Sequence, residues 1–446
     1  MTDSPAALGA RSVLRIPDFR RVWTAQGISD IGDAVTNLTL LIVVIRLTGS
    51  TAALAAMAIA LAVPAIVVGP VAGVFVDRWD RRRVMLASDL VRAGIVLGFI
   101  LVSSLDRLWL MYLLAVAHAT VGTFFTPARM ALVPRIVGKP GLMAANSLNQ
   151  LTRMLAGVLG AGLAGVLVGI VDVTWPAFVI DASTFALSFL IVLRVRTSGR
   201  VEAAAHQAGA GRGVLGQLGE GLAIIARSRI LIGTMVGAGV AMLGLGAVNV
   251  LSVPLMIRVL GVPTTWLGAI DGAQTASMIM AAALVAAIAA RVRPTYIVVI
   301  GLAGIAVFIG LVAGVTSVWQ VIALLFIVGW FVMPLQASIG TLVQSATDDS
   351  HRGRVAATLH AVMAAASVLS MGLAGVFGDI VGIRAVFVIA GVVVGLAAVG
   401  ALIVFRGATA EAAEPGAHAA EALADAAEQS EQVEAAEASA TVDTAA

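Results

Sequence analysis

Four polar side chains, Gln26, Asp30, Asp33 and Asn37, follow one another at spacings of four, three and four residues inside an otherwise apolar run. That spacing puts them on one face of one helix. Two carboxylates a turn apart and partly desolvated repel each other, and the repulsion is relieved when one of them takes up a proton. The chemistry this suits is reversible proton binding; a satisfied polar helix interface is the other reading. Asp30 and Asp33 lie ten and thirteen residues beyond Arg20, roughly 15–20 Å along a helix axis. That is close to the middle of a bilayer about 30 Å thick. A carboxylate there costs about 2.5 kcal/mol or more, so the face that carries it is expected to point into a cavity.

Other ionisable groups interrupt apolar runs elsewhere. Asp89 and Arg92 are three residues apart and can neutralise each other on one helix face, either as a structural pair or as part of a gate. Asp181 is expected to be a structural acid near the outer end of its run. Asp271 with Gln274 occupies one helix face, and Asn249 lies deep in the preceding run. An anionic group in an apolar pocket attracts lipophilic cations, which makes Asp271 a candidate for substrate recognition. Arg153 and His360 receive no role. The five histidines are scattered, with no His/Cys/Glu spacing suited to a metal, and no Gly-x-x-x-x-Gly-Lys-Ser/Thr loop is present to bind ATP. No cofactor is expected, and the energy for any transport is expected from an ion gradient.

The elements that must position these groups follow from composition. Over the 446 residues 60% are hydrophobic and 12% charged, whereas soluble domains run at about 45–50% and 25%. A soluble enzyme, a nucleic-acid module and a disulfide scaffold are excluded, the last because there is no cysteine. Runs lacking charge for about 20 residues predict twelve transmembrane helices, near 20–46, 51–76, 84–105, 108–127, 142–170, 175–194, 230–257, 264–290, 295–316, 318–345, 355–380 and 384–405. The stretch 294–347 carries no charge over 54 residues and is read as two spans turned at Thr316–Ser317.

Charge is segregated. The 40 residues after Arg406 hold nine acidic and no basic side chains, and the rest of the chain, with 28 basic against 16 acidic, stands at +12. Placing the N-terminus inside assigns 22 Lys and Arg to cytoplasmic loops and four (Arg46, Arg107, Arg258, Arg384) to outer loops, so both termini are expected in the cytoplasm. The N-terminal arm is polar up to Arg21, and the first apolar run continues as a full span, so no cleavable signal is expected. Basic charge lies between apolar runs rather than on one face with aromatics, which argues against nucleic acid as a partner.

The segment Gly162-Leu163-Ala164-Gly165-Val166 recurs as Gly372-Leu373-Ala374-Gly375-Val376. This suggests two six-helix halves, 1–195 and 230–405, joined by a cytoplasmic linker at 196–229 that contains Gly209, Gly211 and Gly213. Within the linker, Val214 to Arg229 is expected to form an amphipathic helix on the membrane face. Residues 406–446 form an acidic tail, expected to be solvated or to dock a partner.

Between the second and third spans stands Gly73-Val74-Phe75-Val76-Asp77-Arg78-Trp79-Asp80-Arg81-Arg82-Arg83. It resembles the signature loop of the major facilitator superfamily. In that reading Gly73 permits close helix approach, Asp77 sits by a helix N-terminus, and Arg78, Arg81, Arg82 and Arg83 pair with acids that move between states. Asp18-Phe19-Arg20, Thr48-Gly49-Ser50, Pro127-Ala128-Arg129, Asn146-Ser147-Leu148, Ile180-Asp181-Ala182 and Arg352-Gly353-Arg354-Val355 are similar to the proton-linked drug-exporter branch, which includes macrolide, tetracycline and siderophore exporters. Two places depart from the pattern: Gly160-Ala161 stands where exporters often carry Gly-Pro, and His118 stands where arginine is common. The resemblance implies an all-α major facilitator fold and a monomer in the cytoplasmic membrane that exchanges protons for a lipophilic drug or a defined endogenous compound. Asp33, Asp30 and His118 would carry the proton. Gln26, Asn37, Asn249, Asp271 and Gln274 would line the substrate cavity. The signature loop, with Asp89, Arg92, Arg352 and Arg354, would form the cytoplasmic gate.

Overall fold

The computed structural model describes residues 8–76, 78–102, 104–170, 174–197, 199 and 214–407. Asp77, most of the linker (Ser198, Arg200 and 201–213) and the acidic tail from residue 408 lie outside them. Among the described residues the chain is helical, without strands. A short α1 (Ala10–Leu14) leads into α2 (Pro17–Thr48), which begins with proline where a missing N–H costs nothing and ends on Gly49 at φ 65. α3 (Thr51–Val67) and α4 (Gly69–Val76) form one apolar rod bent by 44°. Pro64 and Pro70 remove ladder hydrogen bonds at that bend. α5 (Arg81–Gly98) is capped by Asp80, whose side chain accepts from the Arg83 N–H.

α6 (Leu108–Ile170) has 63 residues, about 95 Å at 1.5 Å per residue. One crossing of an apolar core about 30 Å thick cannot use that length. Gly138 breaks it, with φ 65 and ψ 175 between Pro134 and Pro140. After α7 (Trp175–Val192) come α8 (Val214–Ile225), α9 (Arg229–Pro254), α10 (Leu267–Ala289), α11 (Pro294–Val312), α12 (Val318–Ser345), α13 (Asp349–Ile380) and α14 (Ile383–Gly407). The turn expected at Thr316–Ser317 is present: Ser317 and Gln320 form a capping box at the start of α12. Among the described residues ten helices are long and apolar enough to cross a membrane, or eleven with the bent pair counted as one. Large apolar side chains such as Val67, Leu90, Ile380 and Ile403 are more than 60% exposed on the outside of the helices, as lipid-facing positions require.

Helices α2–α7 pack on one another, as do α9–α13. α14 joins the second group, with Gly391 against Ala306 and Phe405 against Gly233. The two groups touch along glycine seams. A Cβ on Gly268 (α10) would lie 2.2 Å from the Gly162 Cα (α6), and one on Gly375 (α13) would lie 2.2 Å from the Ala55 Cβ (α3). Each copy of the five-residue repeat therefore lies in one of these seams. The same end of the molecule carries hydrogen bonds between bundles. Asp379 (α13) accepts from Ser50 Oγ at 2.6 Å, Thr51 N at 2.8 Å and Ala52 N at 3.1 Å. Thr264 Oγ1 donates to Gly165 O at 3.1 Å, and Arg258 donates to Gly49 O.

At the opposite, arginine-rich end, Asp18 accepts from the Arg196 and Thr197 N–H groups, and Arg82 donates to the Val192 and Leu193 carbonyls. Arg354 pairs with Glu220. Each of these bonds stays on one side of the molecule. The linker helix α8 packs on α13, where Gly221 lies against Thr358 and the Arg354 carbonyl. A side chain at Gly221 would close that contact.

Candidate functional site

Asp33 is near the midpoint of α2. Arg92 (α5) donates to its carboxylate through Nη2, and through Nε to His118 Nε2 at 3.2 Å. His118 Nε2 in turn lies 3.5 Å from Asp33 Oδ1. A nitrogen that accepts a hydrogen bond carries no proton, so His118 is neutral while this bond is made. The Arg92 guanidinium also lies 4.3 Å from the centroid of the Phe185 ring on α7. Two more acids complete the cluster. Asp89 accepts from Ser188 Oγ at 2.7 Å, and Asp181, with no exposed surface, has a carboxylate oxygen within 4.8 Å of ligand atoms of both Asp33 and His118.

Asp89 and Arg92 do not form the direct pair expected of them: the long arginine side chain reaches across to Asp33 on α2, while the short Asp89 bonds Ser188 on α7 and stays within electrostatic range of the guanidinium. Arg92, expected with the gate residues, lies in the mid-span cluster. Asp181, expected as a structural acid near the outer end of its run, is a member of the same cluster. The fold also gathers Asp33, His118 and Asp181 into a group of the size a metal ion takes, although no sequence spacing suggested one. The guanidinium on Asp33 supplies the positive charge that a metal would bring there.

The polar stripe of α2 faces a cavity of about 510 Å³ within the first bundle, lined by Gln26, Asp30, Asp33 and Asn37 together with Arg92, His118 and Arg153. Gln26 Nε2 donates to Asp30 Oδ2 at 3.2 Å. Gln26, expected among the substrate-cavity residues, lines this chamber beside Asp30. A second cavity, of about 490 Å³, lies between the bundles and brings together Asn37, Asn249, Asp271 and Gln274. Its size suits a small organic molecule. Arg153 and Asn37 line both cavities and stand between them.

The remaining residues lie at the arginine-rich end. Arg78 and Arg83 line an apolar pocket with Trp79 and Phe124. The Arg81 N–H donates to Gly199 O at 3.1 Å. Arg352 closes the turn between α12 and α13 by donating to the Gln344 carbonyl at 3.1 Å, and Arg354 braces α8. A close helix approach was expected at Gly73, but a Cβ there would meet nothing within 4 Å. α4 turns that position toward open space.

Gly32, which sequence reasoning passed over, is what allows Asp181 into the cluster. A Cβ on it would lie 2.1 Å from Thr184 Oγ1 and 2.2 Å from Asp181 Oδ1. The only signal in the sequence was a glycine next to Asp33 on a helix, where glycine costs about 1 kcal/mol relative to alanine. Gly32→Ala is expected to displace Asp181, destabilise the protein by about 1–3 kcal/mol and impair transport. A thermal melt in detergent together with an uptake assay checks this; a melting temperature and a rate equal to wild type would contradict it.

Two bundles of membrane-crossing helices with a polar cavity between them define a multi-pass membrane transporter. The chain belongs to the Major Facilitator Superfamily, whose family model matches residues 22–263 and 234–430. It is similar to the MFS-type transporter YfiS of Bacillus subtilis (strain 168), at 26% identity over 82% of this chain and 88% of the relative. It is similar also to the enterobactin exporter EntS of Salmonella choleraesuis (strain SC-B67), at 27% identity over 76% of this chain and 80% of that protein. Among solved structures, the nucleoside transporter NupG (D323A mutant) superposes with a TM-score of 0.72 at 13% identity, over 87% of this chain and all of that one.

Proposed function

We propose that the protein is a proton-coupled exporter of lipophilic small molecules, with twelve crossings (α6 counted twice and the α3–α4 pair once), two six-helix halves and both termini in the cytoplasm. The observation that carries this reading is the charge balance of the mid-span cluster. Asp33, Asp89 and Asp181 lie within electrostatic reach of the single guanidinium of Arg92. The excess negative charge gives protons a place to bind inside the membrane, where unbalanced charge is expensive. Asp33 is proposed as the carrier, with Asp30 or His118 beside it, and the cavity between the bundles as the substrate site. The bundles are bonded at the arginine-poor end, which the positive-inside rule makes the outer face, so this conformation opens inward. Substrate enters between the halves as a proton leaves, and outward opening releases substrate and restores the proton.

A second reading, export of one defined endogenous compound, is favoured by the similarity to an enterobactin exporter over most of both chains. The test is reconstitution into proteoliposomes under an imposed pH gradient, with a panel of lipophilic dyes and antibiotics. Several chemically unrelated compounds are expected to be concentrated, and an uncoupler is expected to stop them. Transport of one compound alone would favour the second reading, and transport indifferent to the gradient would remove proton coupling.

A further inference from the structure

Arg153 is the one charged side chain that lines both the chamber holding Asp30 and the cavity between the bundles. It lies on α6 of the first bundle, and Asp271 lies on α10 of the second, so each bundle brings one charge of opposite sign to the inter-bundle cavity. Both residues are exposed to the cavity. Among the described residues no hydrogen bond or ion pair holds either of them, although Asp30 is within electrostatic range of Arg153. Every other polar group in this cavity is an amide or a hydroxyl, and the rest of the lining is apolar. An intramembrane arginine and an intramembrane aspartate are each costly to keep, and they would cancel each other if they met. Lining the same space of about 490 Å³ without an ion pair between them, they form a bipolar receptor.

We infer that the substrates are amphoteric amphiphiles: Arg153 receives an anionic group, Asp271 receives a cationic group of the same molecule, and the apolar body packs on Leu41, Val158 and Phe387. This rests on the reading of the inter-bundle cavity as the substrate site. A guanidinium binds a carboxylate through two parallel hydrogen bonds, so Arg153 would select by geometry as well as by charge. A substrate that engages both residues also bridges the two bundles, which an anion-only or cation-only compound cannot do.

Three xanthene dyes of nearly one shape test this on the full-length protein in detergent: zwitterionic rhodamine 110, its cationic methyl ester rhodamine 123, and anionic fluorescein. Binding is read by fluorescence polarisation. Wild type is expected to bind rhodamine 110 most tightly. Arg153→Gln is expected to weaken rhodamine 110 and fluorescein by about tenfold or more while leaving rhodamine 123 unchanged. Asp271→Asn is expected to weaken rhodamine 110 and rhodamine 123 and to spare fluorescein. Arg153→Lys, which keeps the charge without the fork, is expected to recover part of the loss.

If Arg153→Gln weakens all three dyes alike, Arg153 serves Asp30 or the packing and the inference fails. It fails too if wild type does not bind rhodamine 110, or does not prefer it to the ester. Unchanged melting temperatures and single elution peaks separate these results from misfolding. Because binding is measured without a membrane or a gradient, selective binding with no transport of any dye would overturn proton-coupled export and leave this inference standing.

Discussion

Asp33→Asn is expected to yield a folded protein that binds substrate but no longer concentrates it in response to a pH gradient, and Arg92→Gln a protein that is also hard to keep folded. The two differ because of what each leaves behind. Asparagine fills the volume of aspartate and still offers an oxygen to the Arg92 guanidinium, while Asp89 and Asp181 remain within reach to balance that charge. The cluster survives without its proton carrier. Glutamine in place of Arg92 removes the only cation of the cluster, together with its contacts to Asp33, His118 and Phe185. Breaking a buried ion pair from one side typically costs about 3–5 kcal/mol, because the partner stays buried and unpaired. Asp30→Asn should be milder than either, since Asp30 lies outside the Arg92 network and the proposed carrier Asp33 stays in place. Uptake into proteoliposomes and thermal melts in detergent check the ranking. Gradient-driven accumulation by Asp33→Asn would move the carrier to Asp89 or Asp181, and a wild-type melting temperature for Arg92→Gln would show that the cluster does not need its cation.

The spans were legible because hydropathy and length act locally, and so was the α2 stripe, since a spacing of four, three and four residues fixes one helix face whatever surrounds it. Asn37, Asn249, Asp271 and Gln274 meet in one cavity because a polar side chain in an apolar helix has few other places to go. The partner of Arg92 was not legible. Local spacing favours Asp89 three residues away, and nothing in the sequence says that α5 will lie beside the middle of α2. The same holds for Asp181 and Gly32, each of which matters only because α7 packs on α2. Which chamber Gln26 lines was not legible either: the stripe runs from one chamber into the next, and of its four residues Asn37 alone reaches the cavity between the bundles. Arg153 carried a visible charge with no visible partner, and its place between the two chambers follows from how α6 crosses α2 and α10.

Asp379→Asn is expected to loosen the end of the molecule where the bundles are joined and to shift the protein toward the conformation open at that end. Asp379 completes a helix cap across the two bundles. The first turn of α3 has unsatisfied N–H groups; Ser50 takes that of Ala53, and Asp379, 328 residues from Thr51, takes those of Thr51 and Ala52 while accepting from both hydroxyls. A carboxylate at a helix N-terminus is favoured by the hydrogen bonds and by the helix dipole. Asparagine can accept at one oxygen only and brings no charge. The site is exposed, so solvent screens part of the effect, and a loss of about 1–2 kcal/mol is expected, a five- to thirtyfold shift in the conformational equilibrium. The chain has no cysteine, so spin labels can be placed at Leu105→Cys and Val381→Cys, one on each bundle at this end, without first removing native thiols. Pulsed-dipolar distances are expected to gain a longer population in Asp379→Asn, and a matching pair at Met143→Cys and Arg291→Cys, at the arginine-rich end, a shorter one. Transport is expected to slow rather than vanish, because both states stay accessible while the return to the inward state loses its clasp. Distance distributions identical to wild type at both ends would mean that the glycine seams at Gly162–Gly268 and Gly375–Ala55 hold the bundles together without help from the cap.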